Sequence, residues 1–436
     1  MIGSSNLSSH KQNLMFSELK KILENTTFIQ KIILSLFITF PISFILGNLI
    51  LNLFIVSIGL LFTFHIFKNK KYKELNNKIF YLLIFFFISL LINLIFSNNF
   101  ELSLPRVLKF VFIIFFIFAF KNLIRINSYY FENLLFRFWS IILFVVMADI
   151  FFEFYTGYNS LGFISYMPGR LTSFFGDELV VGGYFSAFSL IILAFMQNTL
   201  KNKNLGFLFL ILIIFVSFII GERSNFIKTA IIATTFFSIV SNLNIKIKFI
   251  IPLFTITILF AIISSDICKN NQACNSYNIR FYGQISEIFK KDGLNKYLKQ
   301  STYGAHYATA KAIFKDNLIF GVGIKNFRIE SLKNKYENKD YDQTAIRWAT
   351  HPHQVHYELL SETGLFGYVS FLIFLISSIY LSFVNYLKYR NYYQLSGILF
   401  VLVSVLPLLP SGSFFSTFSS SLFWINYALM VGYIKK

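Results

Sequence analysis

Residues 79–97 read IFYLLIFFFISLLINLIFS, nineteen consecutive positions without a charged side chain. As an α-helix this stretch would rise about 28 Å, close to the roughly 30 Å hydrocarbon core of a bilayer, with every backbone polar group satisfied internally. A membrane β-barrel is excluded because the apolar residues follow one another without period-two alternation. Runs of similar length and character recur, and they predict twelve spans: 29–47, 49–67, 79–97, 104–120, 134–153, 178–197, 204–220, 225–240, 247–264, 363–383, 392–410 and 418–433. The expected fold class is an all-α polytopic membrane protein. Composition agrees, since the 436 residues are 56% hydrophobic and 14% charged, with 58 Phe and a mean hydropathy of +0.62. Soluble domains carry about a quarter charged residues, so a soluble multidomain enzyme, a disordered chain and a disulfide scaffold are excluded. The first 27 residues are polar and the apolar run after them has the length of a span, so no cleavable signal peptide is expected.

The formal charge of +19 has a topological origin. With alternate connections taken as inside, 68–78, 121–133, 198–205, 241–248 and 384–391 plus the tail 434–436 hold 15 Lys and Arg. The short connections opposite, 97–103, 154–177, 221–224 and 411–417, hold only Arg170 and Arg223. The positive-inside rule then places both termini in the cytoplasm, and net basicity is expected from insertion without any acidic partner, so membrane lipids but no nucleic acid are expected as partners. The expected segments are a cytoplasmic N-terminal segment 1–28, spans one to nine within 29–264, an extracytoplasmic loop 265–357, and spans ten to twelve with the tail in 358–436. In the loop, 278–300 and 308–319 have helix-like apolar spacing and precede a turn at Gly321-Val322-Gly323, so helices lying over the outer membrane face are expected. The loop also holds both cysteines, Cys268 and Cys274, which the outer compartment would permit to pair; two free thiols are the alternative.

Polar groups at membrane boundaries are costly and mark candidate function. His351-Pro352-His353-Gln354-Val355-His356 precedes span ten. Pro352 suits a first helical turn, with Thr350 or His351 as cap, which would set His353 at a helix N-terminus and on one face with His356. The dipole there disfavours imidazolium, and a neutral imidazole is what a general base needs. A boundary turn whose histidines merely meet water, or a zinc site of three imidazoles, are the competing readings. Arg170 and Arg223 stand out because the chain prefers Lys, with only nine Arg among its 39 basic residues. A guanidinium grips phosphate in two places, so the pair could hold a lipid-linked pyrophosphate; a snorkelling residue paired with Glu222, Asp177 or Glu178 is the plainer alternative. Asp149, Glu153, Asp177 and Glu178 could bind a divalent cation or, the favoured reading, serve as counter-ions to Arg170 and to Arg106 or Lys109.

These pieces resemble a known family. His353-Gln354 followed by Glu358, Glu362-Thr363-Gly364 and Gly367, the upstream Gly321-Val322-Gly323-Ile324-Lys325-Asn326-Phe327, and Arg170 and Arg223 in their surroundings are similar to the signature of the O-antigen ligase and polymerase superfamily. Gln354 replaces the commoner Asn, and His306 stands where members often have Arg, with Arg280 as a substitute. The resemblance implies a membrane glycosyltransferase of the GT-C type in the inner (cytoplasmic) membrane, acting on the periplasmic side without cofactor or metal. It implies an undecaprenyl-pyrophosphate-linked glycan donor, with the lipid A core as acceptor for a ligase or another lipid-linked glycan for a polymerase. His353 would deprotonate the acceptor hydroxyl, Arg170 and Arg223 would hold the pyrophosphate, and His356 and Arg280 would position the acceptor or support the site. Glu362, nine residues after His353, would lie on the opposite face of a straight helix and is expected to fix the junction between loop and span. The competing class is a twelve-span secondary transporter, whose polar groups would gather near the bilayer midplane rather than at span ends.

Overall fold

The computed structural model describes residues 26–176, 178–199, 206–266, 272–407 and 409–435. Among them every regular element is helical. The order is α1 (Phe28–Ile38), α2 (Phe40–Ile45), α3 (Asn48–Lys68), α4 (Lys78–Ile95), α5 (Phe100–Thr156), α6 (Val181–Thr199), α7 (Gly206–Ile219), α8 (Arg223–Val240) and α9 (Ile245–Ser264). The loop region follows with α10 (Gln272–Tyr277), a π-helical turn (Asn278–Gly283), α11 (Gln284–Ile288), α12 (Gly293–Gln300), α13 (Thr302–Asp316) and α14 (Phe327–Glu330). The chain closes with α15 (Val355–Tyr389), α16 (Tyr392–Ser404) and α17 (Thr417–Gly432).

Seven stretches among the described residues are long and apolar enough to cross a membrane: α3, α4, Phe100–Ile126 and Phe131–Thr156 of α5, α6, α9 and α15. The remaining expected spans fall on shorter or more polar helices. The first of them, 29–47, is divided at Thr39, because Pro41 lacks the N–H that a continuous helix would use there. The expected loop at 121–133 is instead helical, since the segment contains no Gly or Pro to stop a helix. It is nevertheless a reversal. On a straight helix Phe120 and Trp139 would be about 28 Å apart. Yet the Phe37 ring lies 5.2 Å from that of Phe120, and the Phe37 carbonyl accepts a 2.9 Å hydrogen bond from Trp139 Nε1. The chain therefore doubles back and supplies two antiparallel passes.

The four connections assigned to one face by their scarcity of charge all meet the 265–357 loop. Ser103 Oγ donates to Ile324 O at 2.7 Å, Arg223 donates to Arg280 O at 3.4 Å, and Ser411 N donates to His353 O at 2.8 Å. Gly169, in the fourth connection, lies against Ser276 and Arg280. At the other end the basic connections meet one another, with Gln30 donating to Asn122, Asn122 to Glu74, and Lys435 N to Asn385. The two-faced division read from charge is thus a property of the fold. Of the two cysteines, Cys274 is disulfide-bonded, and the only other cysteine, Cys268, lies outside the described residues.

The loop is fastened to α15 backbone to backbone. Val322 N and Gly323 N donate to Ser361 O and Glu362 O at 3.1 and 2.8 Å, and Leu365 N and Phe366 N donate to Leu318 O and Ile319 O at 2.8 and 3.0 Å. This exchange requires α15 to break, and it breaks at Gly364, whose φ is +64°. A methyl group on Gly364 would stand 2.4 Å from Ile319 O, and one on Gly321 would stand 2.5 Å from the backbone of Glu362 and Gly364. Gly364→Ala therefore combines a left-handed conformation with a clash against backbone, a cost of about 3 kcal/mol or more. Detergent-solubilised G364A is expected to melt well below the unsubstituted protein; an unchanged melting temperature would contradict this account of the junction.

Candidate active site

On the loop face, side chains from the spans and from the loop enclose a cavity of about 1130 Å³. Arg170, Arg223, Arg280 and His353 all line it, whereas His356 and Glu362 do not. Two turns bring the arginines together. Leu171 N donates to Ile220 O at 3.0 Å, and Gly221 lies so close to Gly169 that a side chain at 221 would overlap the Gly169 carbonyl. Arg170 and Arg223, fifty-three positions apart in sequence, are adjacent because only a glycine permits that approach. Arg280 joins them from the π-helical turn, donating to Gly221 O at 3.4 Å.

The charge balance of this wall is uneven. Arg170 pairs with Glu222 at 3.3 Å and donates to Leu179 O at 2.8 Å. Glu222 is itself held by Gly182 N at 3.0 Å and by Asn225. Arg223 makes no ion pair among the described residues. Burial, with Arg170 and Arg223 adding repulsion, pulls the Arg280 guanidinium down to about 10. Among the described residues the buried Nε atoms of Arg170 and Arg280 have no hydrogen-bond partner. Among the described residues three guanidinium groups face one carboxylate, which leaves an excess of positive charge on this wall.

The favoured counter-ion role is corrected for Asp149 and Glu153. Glu153 accepts from the backbone N–H groups of Thr172 and Ser173 at 3.0 and 2.6 Å, and Asp149 accepts from Ser160 N and Ser173 Oγ at 2.8 and 2.7 Å. These carboxylates shape the 159–173 turn behind Arg170, and Glu222 is the ion partner. Arg106 and Lys109 donate instead to Thr417 Oγ1 and Asn52 Oδ1, at 3.3 and 2.5 Å. Asp177 lies outside the described residues, and Glu178 is exposed.

The histidine segment also differs from expectation. Helix α15 begins at Val355, and its N-cap is Gln354, whose side chain accepts from Tyr357 N at 2.9 Å. Neither Thr350 nor His351 caps it, and Pro352 precedes the helix rather than occupying its first turn. His353 is in the left-handed region, with φ +58°, so it shares no helical face with His356. His356 turns away to Tyr368 Oη and Val405 O, at 3.0 and 2.7 Å, and packs the junction. The His353 ring lies 5.3 Å from the rings of Tyr303 and His306 and 4.1 Å from that of His351. Among the described residues its nitrogens have no hydrogen-bond partner. Burial, and then His306, pull its imidazole down to about 4, and burial also lowers His306 and His351. At neutral pH His353 is a neutral imidazole lining the cavity.

Among the described residues no group of three or more His, Cys, Asp and Glu is arranged to hold a metal ion. Glu362 accepts from Lys325 N at 2.8 Å and Phe327 N at 3.3 Å, tying the Gly321–Phe327 turn to α15. Sequence reasoning passed over several cavity residues, notably Arg328, Tyr303 and Tyr307, and it treated Arg106 only as an ion partner. The preference for Lys, which singled out Arg170 and Arg223, would have marked Arg106 and Arg328 as well.

Fold and site define a multi-pass helical membrane protein whose loop-covered cavity sets an arginine cluster and a neutral histidine into one space. A sequence model of the family described as O-antigen ligase matches residues 179–372, which include Arg223, Arg280, His353 and Glu362 but not Arg170. The match bears out the resemblance read from the motifs, and it supports an enzyme of the lipid-linked glycan ligase or polymerase kind. No curated protein matches the chain.

Proposed function

We propose that this protein transfers a glycan from undecaprenyl pyrophosphate to an acceptor hydroxyl at the outer face of the cytoplasmic membrane, as an O-antigen ligase acting on the lipid A core. The observation that carries the proposal is the convergence of Arg170, Arg223, Arg280 and His353 on one cavity. In this reading the arginines bind the donor pyrophosphate, and His353 accepts the proton of the acceptor hydroxyl as its oxygen bonds to the anomeric carbon. The bond from that carbon to the pyrophosphate oxygen breaks, and undecaprenyl pyrophosphate departs with its added charge held by the guanidinium groups. No step calls on a cofactor or metal. The assignment to the cytoplasmic membrane, the cytoplasmic placement of both termini and the GT-C class belong to the same proposal.

Reconstituted protein supplied with a lipid-pyrophosphate oligosaccharide and lipid A core is expected to yield a glycosylated core and free undecaprenyl pyrophosphate. Lengthened lipid-linked glycan without core attachment would instead identify a polymerase. Uptake of solute into proteoliposomes without any transfer would identify a transporter and end the proposal.

A further inference from the structure

The cavity contains a second cationic group. Arg106 from α5, with Lys325 and Arg328 from the Gly321–Phe327 turn and α14, lines it together with Asn52 and Thr417. Lys109 stands one helical turn from Arg106 and donates to Asn52. Lys325 is 4% exposed, and its ammonium donates to Ser413 Oγ at 2.7 Å. The carboxylates facing this group are committed elsewhere. Glu358 accepts from Ser413 Oγ and Phe414 N, Glu362 from Lys325 N and Phe327 N, and Glu330 from Lys333 and Asn98. Glu358 and Glu362 act on Lys325, but among the described residues Arg106 and Arg328 have no ion partner. Among the described residues the buried Nε of Arg328 also has no hydrogen-bond partner. Two partly buried guanidinium groups lining one cavity, one of them with an unused donor, form a site suited to an anion.

This group is separate from the arginine wall. Arg170 and Arg280 are held by Glu222, Leu179 O and Gly221 O, whereas Arg106 and Lys325 are held by Thr417 and Ser413 of the 411–417 connection. Its place is on the histidine side, because Ser413, which accepts from Lys325, stands two residues from Ser411, whose N–H donates to His353 O. We infer that Arg106 and Arg328 form a second anion site, which binds a phosphate carried on a lipid while the first holds the donor pyrophosphate. Given the proposed function, a phosphate there would anchor the molecule whose hydroxyl meets His353. The acceptor would then be recognised by its own phosphate, through Arg forks that fit the group in two places.

The test uses the full chain in nanodiscs of zwitterionic lipid, titrated calorimetrically with inorganic pyrophosphate at fixed ionic strength. Two equivalents are expected for the unsubstituted protein. Arg106→Gln with Arg328→Gln should leave one, and Arg170→Gln with Arg223→Gln should leave the other. The retained equivalent in each variant shows that the protein is folded. A single equivalent in the unsubstituted protein, or two that survive Arg106→Gln with Arg328→Gln, overturns the inference without touching the arginine wall. Loss at Arg106 and Arg328 alone would uphold it while refuting the donor reading. Its source is then resolved by competition: weakening of this equivalent at least tenfold by phosphatidylglycerol in the disc assigns a membrane headgroup. The same weakening by phosphorylated but not dephosphorylated lipid A core assigns the acceptor.

Discussion

His353→Ala is expected to slow glycan transfer by roughly 10²- to 10⁴-fold, the range of a positioned general base. Binding of the donor should change little, because the pyrophosphate is held by the arginine wall. The comparison is single-turnover transfer by purified H353A and unsubstituted protein, with pyrophosphate binding measured beside it. Transfer within threefold of the original would end the general-base assignment. The pH profile supplies an independent reading. Burial and His306 bring the His353 imidazole down to about 4, so the basic form is already complete at pH 7. Rate should be flat from neutrality downward and fall only near pH 4, rather than near the ordinary value of 6.5. The same displacement bears on stability. A folded-state value below that of the unfolded chain means that protonation favours unfolding. The contribution is present above pH 6.5 and is lost as pH falls toward 4.

Arg223→Ala should cost roughly 10²- to 10³-fold in transfer, comparable to removal of one donor from a preorganised oxyanion site. Arg223 gives a cleaner test than Arg170. Replacing Arg170 strands Glu222, which is buried and paired with it at 3.3 Å, so its loss mixes chemistry with stability. Among the described residues Arg223 makes no such pair, and its only hydrogen bond goes to Arg280 O at 3.4 Å. R223A should therefore melt like the unsubstituted protein while losing both pyrophosphate affinity and rate. Arg223→Lys should recover little, because an ammonium restores the charge but not the two-point grip. Recovery to within threefold by lysine would show that charge alone suffices.

What the sequence determined by itself was the solvent, the helical class and the division into two faces. Uninterrupted apolar runs such as 79–97 leave no other structure able to satisfy the backbone in lipid, and Lys scarcity marked the connections that meet the loop. It also marked Arg170, Arg223 and His353, because each is a costly polar choice beside a span. The histidine geometry was not legible, since the left-handed residue at 353 is held by a distant segment, Ser411 N donating to His353 O. Spacing along a straight helix cannot contain that contact. Which of Glu222, Asp177 and Glu178 pairs with Arg170 was illegible for the same reason, because Glu222 reaches it only where Gly221 allows two backbone turns to touch. The tertiary structure alone gathered residues 106, 170, 223, 280, 328 and 353 into one cavity. Local periodicity records which face of an element is apolar, whereas the meeting of charged groups over two hundred positions depends on how the elements pack.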